Sequence, residues 1–232
     1  MTLYIVPIVE GQTEQGCVEQ LLQRVWRELL CRSERLQVVE PFRGRRGELV
    51  HPNGVVLTDT VGKAFVKLKA KAKKDAQAEL LILILLDAEG DCPATLAPRL
   101  LKVARKALPT EISVCCVLAK RMLENWIVAG ASTLAGVNGL PNPLPPRDRY
   151  EEINGAAWLN KQRRRENKTQ KYKKTVDAAV FIQRMNLQEC RENSPSFDKL
   201  CRDLEAQLPQ APNEAGPQDQ AAPPTIDTGT AL

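Results

Sequence analysis

The chain has 232 residues, with 33 Lys and Arg against 28 Asp and Glu, a formal net charge of +5 and 43% hydrophobic residues. That content can fill one good core in one or two domains, and no apolar run approaches the roughly 20 residues that span a membrane. A single histidine argues against Ser-His-Asp and Cys-His nucleophile systems, and an aromatic content of 4% disfavours a base-stacking single-strand binder. In chain order, the apolar run at 3–9 predicts a strand. Residues 13–32 predict a helix with Val18, Leu21, Leu22, Val25 and Leu29 on one face. Residues 36–42 predict a second strand, and 43–59, rich in Gly, Arg and Pro, a loop. A helix over 61–78, a strong strand over 80–86, a helix over 95–107, a strand over 112–118 and a helix over 121–129 follow. This alternation implies an α/β fold with a mostly parallel sheet and helices on both faces. Residues 136–147 form a loop broken by Pro141, Pro143, Pro145 and Pro146. Short helices over 156–165, 176–185 and 196–206 make a helical appendage. Residues 207–232, rich in Pro, Ala and Gln, lack the large apolar residues that would order them and read as a disordered tail.

Seven cysteines, an odd number, show no CxxC pair or His/Cys cluster, which predicts reduced, mostly packed thiols and no structural zinc. Cys115 and Cys116, neighbours on a strand, should face opposite sides. The start MTLYIVPIVEG lacks the basic region and cleavage site of a secretory signal, so a cytoplasmic protein is expected. No GxxxxGK[ST] sequence occurs, so the chain should not hydrolyse ATP itself. His51 lies in the turn sequence HPNG, and Trp126 reads as packing.

Chemistry concentrates in carboxylates. The run LYIVPIVEGQTE ends in Glu10, with Glu14 four residues on, and LLILILLDAEGD ends in Asp87, Glu89 and Asp91. Each strand delivers acids to its carboxyl end, where open α/β sheets place their sites. Crowded carboxylates repel unless a cation lies between them, and oxygen ligands of this kind select hard ions such as Mg²⁺. A helix starting just after Gly11 would turn Glu14 back toward Glu10, at a helix end that favours negative charge. Asp87 and Glu89, two apart, would share one side of an extended chain.

Positive charge is also clustered, and the tail, with Glu214, Asp219 and Asp227 and no Lys or Arg, leaves the rest more basic than the whole. Lys63, Lys67, Lys71 and Lys74 read as a solvated helix face, and Arg43, Arg45 and Arg46 as a basic loop. Lys161, Arg163, Arg164, Arg165, Lys168, Lys171, Lys173 and Lys174 run almost without an opposing acid and are expected to contact phosphates.

The order VEGxTE, then DxExD, then the ENW of RMLENWIVAG resembles the Toprim domain of topoisomerases, primases and OLD-family nucleases (named for overcoming lysogenization defect). It is most similar to small stand-alone Toprim proteins encoded beside ATPase genes, and the likeness covers about residues 3 to 206. Glu10 matches the family's first acid and Asp87 its second. Position 89 is Glu where Asp is usual, with Asp91 as a substitute. The resemblance implies a Toprim-like domain over 1–135, a basic helical appendage over 136–206 and a tail over 207–232. It implies Glu10, Glu14, Asp87, Glu89 and Glu124 as ligands of two Mg²⁺ or Mn²⁺ ions, and a downstream lysine at the phosphate, for which Lys120, Lys171, Lys173 and Lys174 are candidates. The expected activity is metal-dependent cleavage of DNA or RNA, as the effector of a two-component antiviral system with an ABC- or AAA-type ATPase. The other reading is a non-catalytic Toprim-fold subunit of such an ATPase. The C-terminal helices, with Phe181, Ile182, Leu187, Phe197 and Leu200, would either dock that partner or pack on the sheet.

Overall fold

A computed structural model describes residues 1–166 and 169–207, the side chains of Arg165 and Glu166 excepted. The expected tail lies outside the described residues from 208 onward. Strands β1 (Thr2–Val9), β2 (Arg35–Val38), β3 (Phe42–Arg43), β4 (Ala78–Asp87) and β5 (Ser113–Ala119) form a five-stranded sheet in the order β2-β1-β4-β5, with β3 also pairing β1. Every pairing is parallel, as the α/β reading required. The helices are α1 (Gln12–Arg24), α2 (Arg46–Leu49), α3 (Val55–Ala72), α4 (Pro93–Lys106), α5 (Leu123–Ala129), α6 (Gly155–Glu166), α7 (Lys174–Arg184), α8 (Leu187–Asn193) and α9 (Pro195–Glu205).

The sheet is apolar on both faces, as parallel sheets are. Along β4, Leu81, Leu83 and Leu85 enter one core, shared with α1, α5 and α7–α9. Ile82, Ile84 and Leu86 enter the other, shared with α3 and α4. Cys115 and Cys116 fall into opposite cores, as the period of two demands. Phe181, Ile182, Leu187, Phe197 and Leu200 are buried in the first core, so these side chains pack on the sheet rather than wait for a partner. Trp126, fully buried, donates from Nε1 to Ser196 Oγ at 2.8 Å and meets Phe197 edge-on.

Several boundaries differ from the sequence reading, each for a local reason. The strand expected over 36–42 is split, because Pro41 has no N–H for the ladder. The expected loop over 43–59 contains α2 and the first turn of α3, which begins early where Asn53 Oδ1 accepts the Val55 N–H at 3.2 Å. That helix stops at Ala72 rather than 78, since Ala78 already belongs to β4. The first helix runs on past Arg24 as a π-helical turn, Val25–Leu29. Helix α8 was not foreseen; Asn186 caps it, its side chain accepting the Glu189 N–H at 3.0 Å. Among the described residues, no helix is long and apolar enough to cross a membrane.

Arg163, expected on phosphate, is instead buried and paired with Asp177. Asp177 also accepts the Lys173 N–H at 2.6 Å and Asn138 Nδ2 at 2.8 Å, and Arg163 donates to Lys171 O at 2.9 Å. This pair ties α6 to the start of α7. Asp177→Ala leaves a buried guanidinium uncompensated and is expected to cost about 3–5 kcal/mol. Replacing both members by Met and Leu is expected to recover most of that. Urea unfolding of the single and double variants checks both outcomes.

Candidate functional site

The acids converge at the carboxyl edge of the sheet. Neighbouring strands β1 and β4 run the same way in register, Ile8 beside Ile84, so Glu10 and Asp87 emerge close together at their carboxyl ends. Glu10 follows β1, half-buried, with Oε2 buried and without a partner. Glu14, buried in the first turn of α1, turns back as expected. A Cβ on Gly11 would sit 2.3 Å from Glu14 Oε2, so a side chain there would push the Glu14 carboxylate out of its present position. Asp87 closes β4, buried, and its Oδ1 accepts the Leu123 N–H at 2.8 Å. Glu124, in the first turn of α5, is 0% exposed. Its Oε1 takes the Tyr172 hydroxyl at 3.3 Å and Lys174 Nζ at 3.2 Å, while Oε2 has no partner. A Cβ on Gly155 would meet the Glu124 carbonyl carbon at 2.7 Å, so α6 presses directly on this turn.

The charges act on one another. Burial, then Glu10, Glu14 and Glu124, pushes the Asp87 carboxyl up to about 8. Burial, then Glu14 and Glu89, pushes Glu10 up to about 7 against the pull of Arg46. Burial chiefly, with Glu124, raises Glu14, while Lys174 opposes it. Cys17, buried three residues after Glu14, is pushed up to about 12 by burial and then by Glu14 and Glu124.

Glu89 and Asp91 are held by Arg46 beside the other acids, and the Glu89 charge still acts on Glu10. The chain turns left-handed at Glu89, φ 50°, and both carboxylates pair with Arg46. The Glu89 N–H donates at 2.8 Å to the carbonyl of Arg121, itself at φ 60°, which links the turns after β4 and β5. Arg46 also donates to the carbonyls of Asp87 at 2.8 Å and Ala88 at 3.0 Å. Nothing in its spacing distinguishes Arg46 from Arg43 and Arg45. Nor does any local signal tie Tyr172 to Glu124, 48 residues away in sequence.

Of the candidate lysines, only Lys174 pairs with these acids. Lys120 is half-buried; its N–H donates to Ser196 Oγ at 3.1 Å, and its charge acts on Cys92. Lys171 and Lys173 are exposed and serve the Arg163–Asp177 pair through their backbones. Lys161 and Arg164 are exposed. The side chain of Arg165, and Lys168, lie outside the described residues.

Residues 9–205 match DUF4276, described as a domain of unknown function. The chain belongs to this family. The match spans every acid of the site and reaches the end of α9. No curated protein and no solved structure gives a match.

Among the described residues, no three or more His, Cys, Asp or Glu side chains are grouped so as to hold a metal ion. The donor chemistry of the DUF4276 site nevertheless fits a hard cation. All four inward acids offer oxygen, and Glu10 and Glu124 each keep a buried oxygen without a partner. Such atoms are costly to leave unsatisfied.

The raised carboxyls set a pH dependence. In the folded metal-free protein Asp87 holds its proton from its ordinary 3.8 up to about 8. The native state therefore binds more protons than the unfolded chain, and stability falls as pH rises through that window. Asp87→Asn keeps the acceptor for Leu123 and loses the charge. In chelator, its stability relative to the parent is expected to grow from pH 4 to 8, as read by denaturant midpoints at each pH.

Proposed function

We propose that this protein is a metal-dependent phosphodiesterase of nucleic acid, built on a Toprim-like sheet. The observation that carries the reading is the convergence of Glu10, Glu14, Asp87 and Glu124 beside Lys174, with buried carboxylate oxygens lacking partners. Bound among these acids, Mg²⁺ or Mn²⁺, as one ion or two, supplies a more acidic water and charge neutralisation at phosphate. The chain's own part is to hold the ligands in place. The Leu123 N–H fixes Asp87, Tyr172 fixes Glu124, and Gly11 leaves room for Glu14. Lys174, its side chain half-exposed beside Glu124, is the cation we assign to a phosphate oxygen.

One observation favours a second reading, a non-catalytic Toprim-like subunit of an ATPase. Glu89, at the position where Toprim domains usually have Asp, is engaged by Arg46. In either reading an ABC- or AAA-type ATPase is the proposed partner. A cytoplasmic setting goes with both.

The test is cleavage of plasmid, single-stranded DNA and tRNA by the purified chain with and without Mg²⁺ or Mn²⁺. Asp87→Asn and Glu124→Gln are expected to reduce cleavage to background while far-UV dichroism stays native. Cleavage unchanged in both would falsify the metal-centre reading. An inactive parent that co-purifies with an ATPase encoded beside it would favour the second.

A further inference from the structure

Lys174 occupies the same pocket that the proposed function assigns to metal. Its ammonium is 3.2 Å from Glu124 Oε1, and the charges of Asp87 and Glu14 act on it as well. No other lysine pairs with these acids among the described residues. Its backbone is fixed independently of that contact. The Lys173 N–H is held by Asp177, the Tyr172 N–H donates to Asn160 Oδ1 at 3.1 Å, and Arg163 holds the Lys171 carbonyl. The Tyr172 ring stacks on Phe181. The long Lys174 side chain is 47% exposed, so its ammonium can leave the pocket without unfolding the segment that carries it. Glu124 has no such freedom, being buried in α5 with Oε2 unpartnered.

An ammonium and a divalent ion cannot share Glu124 Oε1 cheaply, because like charges at such separations repel strongly in a partly buried site. The divalent ion carries the larger charge and prefers carboxylate oxygen. We propose that Lys174 is the resident counter-ion of this pocket and that divalent metal displaces it from Glu124. Loading the site then frees a cation at its mouth, where an anionic substrate enters. The segment 169–174 thereby couples metal occupancy to substrate capture: without metal, Lys174 is spent on Glu124, and with metal it is available to phosphate. This inference rests on the reading of the acids as metal ligands.

The experiment is lysine acylation of the full chain at limiting reagent, read residue by residue by mass spectrometry, in chelator, Mg²⁺ and Mn²⁺. Exposed Lys173 serves as the internal reference. Lys174 is expected to react slowly in chelator and several-fold faster with metal, while Lys173 is unchanged. Calorimetry is expected to show that Lys174→Met binds Mn²⁺ about tenfold more tightly than the parent, and that Lys174→Arg does not. Metal binding with unchanged Lys174 labelling, or unchanged affinity in Lys174→Met, overturns the exchange and leaves the metal reading standing. No binding of Mg²⁺ or Mn²⁺ by the parent or by Lys174→Met overturns both.

Discussion

Mutual repulsion among Glu10, Glu14, Asp87 and Glu124 is the constraint around which the rest of the molecule is arranged. It follows from the sheet. Two adjacent parallel strands, apolar on both faces through their buried halves, bring Glu10 and Asp87 out together at their carboxyl ends. The fold answers with two cations from opposite layers. Arg46 comes from α2, whose Leu49 lies in the core with α3 and α4, and Lys174 from α7, whose Phe181 lies in the other core. The two differ in kind. Arg46 is a planar fork anchored on peptide carbonyls, while Lys174 is a flexible point charge with one carboxylate contact. Arg46 is thus part of the frame, and Lys174 is the cation that can be exchanged.

The frame around the acids is strained as well as charged. Glu89 and Arg121, both non-glycine residues at positive φ, are joined by a hydrogen bond across the turns that leave β4 and β5. Left-handed conformations of this kind cost roughly 1–2 kcal/mol per residue and persist where neighbours over-determine them. Here the neighbours are Arg46, which grips both carbonyls before Glu89, and the Ala88 N–H, which donates to Ala119 O at 2.8 Å. The turns are held open so that the Leu123 N–H can reach Asp87 and Glu124 can face inward.

What was legible in the sequence is what local periodicity encodes. The run LLILILL announced a strand buried on both faces, and the opposite placement of Cys115 and Cys116 followed from a period of two. The return of Glu14 toward Glu10 followed from a helix beginning after Gly11. Contacts at long separation were not legible. Arg46 reaches Asp87 across 41 residues, and nothing marks it apart from two neighbouring arginines. The Glu89–Arg46 pairing was not legible for a different reason: the alternation rule assumes extended chain, and the chain turns at Glu89. The early start of α3 was hidden because HPNG reads equally as a turn between strands or as the launch of a helix.

The basic segment after residue 160 shows how charge counting misleads when burial is unknown. Read as composition, Lys161 to Lys174 is a uniform polycation. In the fold its members do different work. Arg163 is consumed by Asp177, Lys171 and Lys173 contribute backbone groups to that same anchor, and Lys174 turns into the acid pocket. Lys161, Arg164, Lys171 and Lys173 are exposed. Long-range attraction for a polyanion survives this division, since it depends on net charge, while close phosphate contact is withdrawn from Arg163 alone, whose side chain is buried. The positive charge nearest the proposed chemistry is therefore positioned by a buried ion pair rather than supplied by a surface patch. The Arg163–Asp177 pair thereby acts at a distance on the carboxylates it never touches.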